Sequence, residues 1–234
     1  MVTTVYLVRH AEAEGNINET FQGMIDTDVT EKGHRQLDCL AERFRDIPIT
    51  ALYSSPLKRT RATADAVNRY HNLPIQLDAS LVEINGGDWE GVAWADLPTR
   101  FPDAYQDWQS NMSEFKAPNG ETMQEVFARM QKAVCEIAAK HPGETIAVVS
   151  HGCALRNFLC FAANDPITKL CDVGWADNTA VSCVTYENGA VSLVFKNDAS
   201  HLPQELSTLA VSKWCKYEED DFRTDESYVP GGET

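Results

Sequence analysis

No stretch of the 234-residue sequence holds the ~20 consecutive apolar residues that a membrane-spanning helix requires. Basic residues are scarce too: 20 Lys and Arg stand against 35 Asp and Glu, a formal charge of −15. Nucleic acid and anionic membrane are therefore excluded as main partners, because both demand cationic surface. An anionic substrate would need a local cationic pocket to capture it against the protein's own field. The N-terminus has no basic n-region and reaches Arg9 too early for a signal peptide. The seven cysteines include no Cys-x-x-Cys and no His/Cys spacing suited to zinc. They are expected to be small buried hydrophobes in a reducing cytoplasm, with no metal. A nucleotide-binding glycine motif is missing as well, and no cofactor is expected.

What is present is a globular composition, 43% hydrophobic and 24% charged, with enough length for a sizeable core. Val2 to Val8 is an apolar, β-branched run, as in a strand buried on both faces. Glu31 to Phe44 has helical spacing, with Leu37, Leu40, Ala41 and Phe44 on one stripe and Thr30 as N-cap. Ile49 to Tyr53 reads as a short strand, after which Ser54-Ser55-Pro56 caps and opens a helix to about Tyr70. A short strand at 75–77 precedes the Gly-rich Asn85-Gly86-Gly87, and residues 93 to 118 read as a helical insertion rich in aromatics. Glu121 to Lys140 is an amphipathic helix, and Thr145 to Val149 a buried strand running through Ser150-His151-Gly152 into an apolar helix. Asn188-Gly189 between two apolar runs signals a hairpin. The alternation predicts an α/β fold, a three-layer α/β/α sandwich around a mostly parallel sheet, over residues 1–199. Residues 200–234 read as an extension that turns acidic after Lys216, with seven acids against Arg223.

Two of the buried strands end in histidine, at Arg9-His10 and at Ser150-His151-Gly152. Ligands of parallel sheets bind outside the carboxyl ends of strands, so both imidazoles converge there. The helix opening at Gly152 offers free N–H groups to an anion. A third strand end leads to Arg59 in the first turn of a helix, placed to join Arg9 around a phosphate with bidentate bonds. Lys58 and Arg61 are better read as solvated charges. His34, His71, His141 and His201 have no motif context and are taken as structural or surface residues.

The segment Leu7-Val8-Arg9-His10-Ala11-Glu12-Ala13-Glu14-Gly15-Asn16 resembles the signature of the histidine phosphatase superfamily, the phosphoglycerate mutase-like fold. Further matches follow in the family's order. They are Gln22-Gly23 with Asp28 to Gly33, Ser54 to Thr60, Glu83 to Gly91, and Val149-Ser150-His151-Gly152. The likeness covers roughly residues 2 to 195, with the helical insertion over the active site. It implies that His10 is a nucleophile phosphorylated during turnover, and that Arg9, Arg59 and His151 bind phosphoryl oxygens. Glu83 is implied as proton donor to the leaving oxygen and then as base for water. Asn16, Gln22, Gly23 and Gly152 are implied around the pocket. Two arginines and an imidazolium would neutralise the transferring group without a metal, and surrounding cations would keep His10 neutral and nucleophilic.

Two departures from the family pattern stand out. Ala11 occupies a usual glycine position, where a methyl group costs strain if φ is positive. Asn85-Gly86 replaces an acid and an aromatic beside Glu83. The glycolytic mutases follow their glutamate with arginine, histidine and tyrosine, and add cations in the insertion. Here Ile84-Asn85-Gly86 follows Glu83, and the insertion holds only Arg100 and Lys116 against Asp96, Asp103, Asp107 and Glu114. Hydrolysis of a small phosphomonoester, by a monomer or homodimer, is therefore expected over mutase chemistry or a non-catalytic phosphate-binding module. Trp94, Phe101, Tyr105, Trp108 and Phe115 are expected to form the insertion's own core; the sharper alternative puts one or two in the pocket roof, favouring an apolar leaving group.

Overall fold

The computed structural model describes residues 1–210; the acidic stretch after Lys216 lies outside them. Period-2 alternation in the first strand sets the layering. In β1 (Thr3–Arg9), Val5 and Leu7 enter one core while Tyr6 and Val8 enter the other. The helix α1 (Glu31–Phe44), capped by Thr30 Oγ1 on the Gly33 N–H, lays Leu37, Leu40 and Phe44 against the Val8 side. Beside it lies α2 (Lys58–Val67), which follows β2 (Ala51–Ser54) and precedes β3 (Ile75–Leu77). The helix α2 starts later than the sequence suggests. Its N-cap is Leu57, which makes no side-chain cap, because Ser54 and Ser55 are engaged elsewhere.

The opposite layer holds α3 (Pro102–Ser110) of the aromatic segment and α4 (Met123–Ala139), whose Thr122 and Glu125 form a reciprocal capping box. After β4 (Thr145–Ser150) comes α5 (Gly152–Ala162), and the hairpin of β5 (Val181–Glu187) and β6 (Ala190–Asp198) completes the sheet. Asn188 (φ 51°) and Gly189 (φ 86°) make its turn. Strand order is β3-β2-β4-β1-β5-β6, with β1 and β2 parallel to β4, β3 parallel to β2, and β5 antiparallel to β1. The fold is thus a three-layer α/β/α sandwich on a mostly parallel sheet. In register, Val8 faces Val149 and Arg9 faces Ser150, so His10 and His151 leave the sheet side by side.

The last described residues pack back on this body. A turn at Gln204–Leu206 buries Leu206, and Gln36 of α1 donates to the Leu206 carbonyl and to Thr208 Oγ1. Among the described residues no helix is long and apolar enough to cross a membrane, and no cluster of His, Cys, Asp and Glu could hold a metal ion.

Candidate active site

The two imidazoles sit 5.3 Å apart, centroid to centroid, and both are buried. His10 Nδ1 lies 2.7 Å from its neighbour's carbonyl, Ala11 O. A carbonyl can only accept, so Nδ1 carries the proton and Nε2 keeps a free lone pair. His151 Nε2 is 2.8 Å from Ser55 Oγ, and its Nδ1 is buried with no partner among the described residues. Burial first, then Arg59 and Arg9, hold His10 well below the ordinary imidazole range. Burial and Arg59, with His10 next, do the same to His151. Both rings are therefore neutral at physiological pH. With His151 held neutral by burial, the fixed positive charge near His10 comes from the guanidinium groups of Arg9 and Arg59.

This has a measurable consequence. In a two-dimensional NMR titration the ring signals of His10 and His151 are expected to stay at neutral shifts through pH 6.5, where exposed histidines are half protonated. Unfolding returns both groups to the ordinary value, so the unfolded chain binds more protons just below that pH. Stability should fall as pH drops through about 6.5. A ring of the pair titrating near the ordinary value would overturn the assignment.

The arginines behave differently from one another. Arg9 lines the cleft and lies against the start of α5, and a Cβ on Gly152 would stand 3.2 Å from its Nε. Glycine there lets the guanidinium approach the helix N-terminus. One terminal nitrogen of Arg9 donates to Ala176 O. Arg59 is fully buried, and its terminal nitrogens donate to Ile25 O at 2.7 Å and Gly23 O at 2.8 Å. The bidentate fork expected from the sequence is thus spent on a loop, leaving Nε buried and without a partner among the described residues. Burial brings the Arg59 pKa down to about 10, which still leaves it charged at neutral pH. Glu90 fixes the same loop from its other side, accepting from the N–H groups of Gly23, Met24, Ile25 and Gly86.

Glu83 is buried at the start of α5. Its Oε1 accepts from Ile84 N and Ala154 N, and its Oε2 from Cys153 N, each at 2.9 Å. Burial raises its pKa, and the backbone donors and Arg59 pull against that rise without cancelling it. Two bonds occupy Oε1, while Oε2 accepts one and keeps capacity for another. The loop carrying it is clamped from behind. Arg129 donates to Ser80 O and Val82 O and pairs with Glu121, which accepts from Asn85 N. The Asn85 backbone N–H is therefore part of this clamp while its side chain accepts from Gly87 N, and Ile84 is the neighbour of Glu83 that lines the cleft.

The cleft is lined by Arg9, His10, Asn16, Gln22, Glu83 and Gly152, with Phe21, Trp94, Trp108 and Trp175 over them. Asn16 Oδ1 accepts from Ala13 N, and Gln22 Nε2 donates to Thr27. Gly23, Arg59 and His151 stand behind this lining. Ala11 does not have positive φ, and its N–H donates to Thr63 Oγ1, so the methyl group brings no backbone strain. Of the insertion's rings, Phe115 is fully buried against Trp89 and Trp108, whereas Trp94 and Trp108 reach the cleft. The insertion's rings thus divide between its own core and the cleft lining.

Sequence reasoning missed the support of the His10 backbone. His10 O accepts from Asn178 Nδ2 at 2.9 Å and from Thr179 N at 3.3 Å. Thr179 holds φ at 61°, an uncommon value for a β-branched residue. Its hydroxyl meets His201, whose other nitrogen meets Arg43, so His201 has a structural place here. Adjacent Asp177 accepts from Ser207 Oγ, Thr208 N and Leu209 N. No local spacing announces Asn178, because its partner His10 is 168 positions away.

An α/β sandwich with a strand-end histidine, a guanidinium group and a buried carboxyl lining one cleft, and a second histidine and guanidinium group behind that lining, defines an enzyme of phosphate esters. Residues 5–199 match the model of the histidine phosphatase superfamily, branch 1. A protein named phosphoserine phosphatase 1 from Hydrogenobacter thermophilus is 30% identical, covering 84% of this chain and 92% of its own length. One named metal-independent phosphoserine phosphatase from Arabidopsis thaliana is 32% identical, over 86% and 84%. The solved structure of Bacillus stearothermophilus YhfR superposes with a TM-score of 0.81 at 30% identity, covering 85% of this chain and 98% of that one. The chain belongs to the histidine phosphatase superfamily and is a phosphatase.

Proposed function

We propose that the protein hydrolyses a small phosphomonoester without a metal, through phosphorylation of His10. The observation that carries this reading is a free Nε2 lone pair on His10 together with the buried Nε donor of Arg59, which has no partner among the described residues. A donor without an acceptor in a buried site suits an equatorial oxygen of a transferring phosphoryl group, whose charge it would offset. In the first step Nε2 attacks phosphorus, the ester P–O bond breaks, and the Glu83 proton passes from Oε2 to the leaving oxygen. In the second, water attacks the phosphoryl group, the N–P bond breaks, and Glu83 takes the proton from the water. Inorganic phosphate and the free alcohol are the products. The likeness to two proteins named as phosphoserine phosphatases supports a small phosphorylated metabolite as substrate.

Some relatives carry the name probable phosphoglycerate mutase, among them one from Cronobacter sakazakii at 34% identity. The cleft favours hydrolysis, since Arg9 is the one cation among its described lining residues. With 3-phosphoglycerate and a bisphosphoglycerate primer, slow phosphate release and negligible formation of 2-phosphoglycerate are expected. Isomerisation at a rate matching the best hydrolysis would overturn the assignment, and strong inhibition by a chelator would overturn the metal-free route.

A further inference from the structure

The cleft has two halves of opposite chemistry. Arg9, His10 and Glu83 line one, with Gly152 at the helix start; Phe21, Trp94, Trp108 and Trp175 form the other. Phe21 and Trp108 are buried and meet edge to face at 5.7 Å. Trp94 and Trp175 are only half-buried, each 5.7 to 6.0 Å from the Trp108 ring, with Trp175 stacked on it at 29°. Trp175 is held in turn by Arg156, whose guanidinium lies 4.5 Å from its centroid and is itself bonded to Cys171 O. The rings are thus positioned by packing, and two of them keep surface at the cleft.

Resting on the phosphomonoesterase reading, we propose that the alcohol half of the substrate is an uncharged aromatic or planar apolar group seated against Trp94, Trp108 and Trp175. Flat apolar surface gains by leaving water for these rings, and aromatic pairs gain further from their edge and face geometry. Charged alcohols fare worse. Among the described residues lining the cleft, Arg9 is the one cation and Glu83 the one carboxyl, and the phosphoryl chemistry uses both. An α-ammonium and an α-carboxylate, as in phosphoserine, would be desolvated there without a counter-charge, which is costly. The chain's net charge of −15 adds repulsion to any extra carboxylate. Thr20, Asn16 and Gln22 supply neutral polar atoms, which suit a hydroxyl or carbonyl on the ring and neutralise nothing. The aromatic roof and the phosphate end are therefore separate determinants: one selects the alcohol, the other performs the transfer.

The test compares benzyl phosphate, n-propyl phosphate and phosphoserine, three esters of primary alcohols, so that departure of the oxygen is similar while the attached group differs. Burial of the phenyl ring predicts a kcat/KM for benzyl phosphate about 10-fold above n-propyl phosphate and roughly 100-fold above phosphoserine. Trp94→Leu and Trp175→Leu should each lower the benzyl value by about 5-fold or more, chiefly through KM, and lower the benzyl-to-phosphoserine ratio of kcat/KM. Phosphoserine matching or exceeding benzyl phosphate on the unaltered chain would overturn the proposal, whether or not the variants fold. Equal losses for all three esters in the variants would overturn it too. In either case an acid-labile phosphate on His10 leaves the phosphatase reading standing; its absence with every ester would remove that reading instead.

Discussion

Replacement of His10 by alanine is expected to abolish covalent labelling by a phosphate ester and to lower turnover by roughly 10⁴-fold or more. The size of the effect follows from the unit His10 belongs to. Its Nε2 is the free nitrogen, its neutrality is enforced by burial between Arg59 and Arg9, and its backbone is fixed by Asn178 and Thr179. Because those backbone bonds end on the carbonyl, the alanine variant keeps them, and its fold should survive. The adduct on the unaltered chain should be labile to acid and stable to base, as a phosphoramidate is. Labelling that persists in His10→Ala, or an acid-stable adduct, would move the nucleophile elsewhere.

Glu83→Gln is expected to produce the second large effect, and one that depends on the substrate. General acid catalysis matters more as the leaving oxygen becomes more basic. An alkyl phosphate departs as an alkoxide unless it is protonated, whereas nitrophenyl phosphate needs little help. The glutamine keeps the size of the side chain but loses the transferable proton proposed on Oε2, and its amide nitrogen would confront one of the N–H donors of Ile84, Cys153 or Ala154. The burst of phosphoenzyme formation should therefore slow far more with an alkyl phosphate, by about 10²-fold or more, than with the nitrophenyl ester. Steady-state rates should fall with both, because the proposed second step also relies on Glu83 for water attack. Equal loss of burst rate for the two esters would remove Glu83 as the acid. No substitute is at hand in the cleft, where Glu83 is the one carboxyl among the described lining residues; Glu14 and Asp88 lie outside it.

Much of the fold and of the site is legible in the sequence wherever the determinant is local. The alternation of Tyr6 and Val8 with Val5 and Leu7 belongs to one strand, and the Leu37, Leu40, Phe44 stripe to one helix. Arg9-His10 and His151-Gly152 are short strings at strand ends, and parallel register places them together. What escapes is the assignment of hydrogen bonds across the fold. Ser55 looks like a helix cap, yet its hydroxyl belongs to His151. Arg59 looks free to fork a phosphate, yet a loop more than thirty residues earlier takes its two terminal nitrogens. The neutrality of His151 depends on how deeply the ring is buried, a quantity that no spacing encodes. Trp175 lies far from the other roof rings in sequence and reaches them only through tertiary packing.

The pairing of β1 bears on when the enzyme comes to exist during synthesis. The strand β1, which ends beside His10, precedes both of its neighbours in the sheet by more than a hundred residues: they are β4 at Thr145–Ser150 and β5 at Val181–Glu187. Asn178 and Thr179, which hold the His10 carbonyl, come just before β5. Until β4 has left the ribosome β1 has no partner in the sheet, and until β5 follows it has a partner on one side only. Such distant pairing slows folding and leaves an early strand open to mispairing with other chains. A nascent chain arrested before residue 178 would thus carry His10 and both arginines and still lack a formed site.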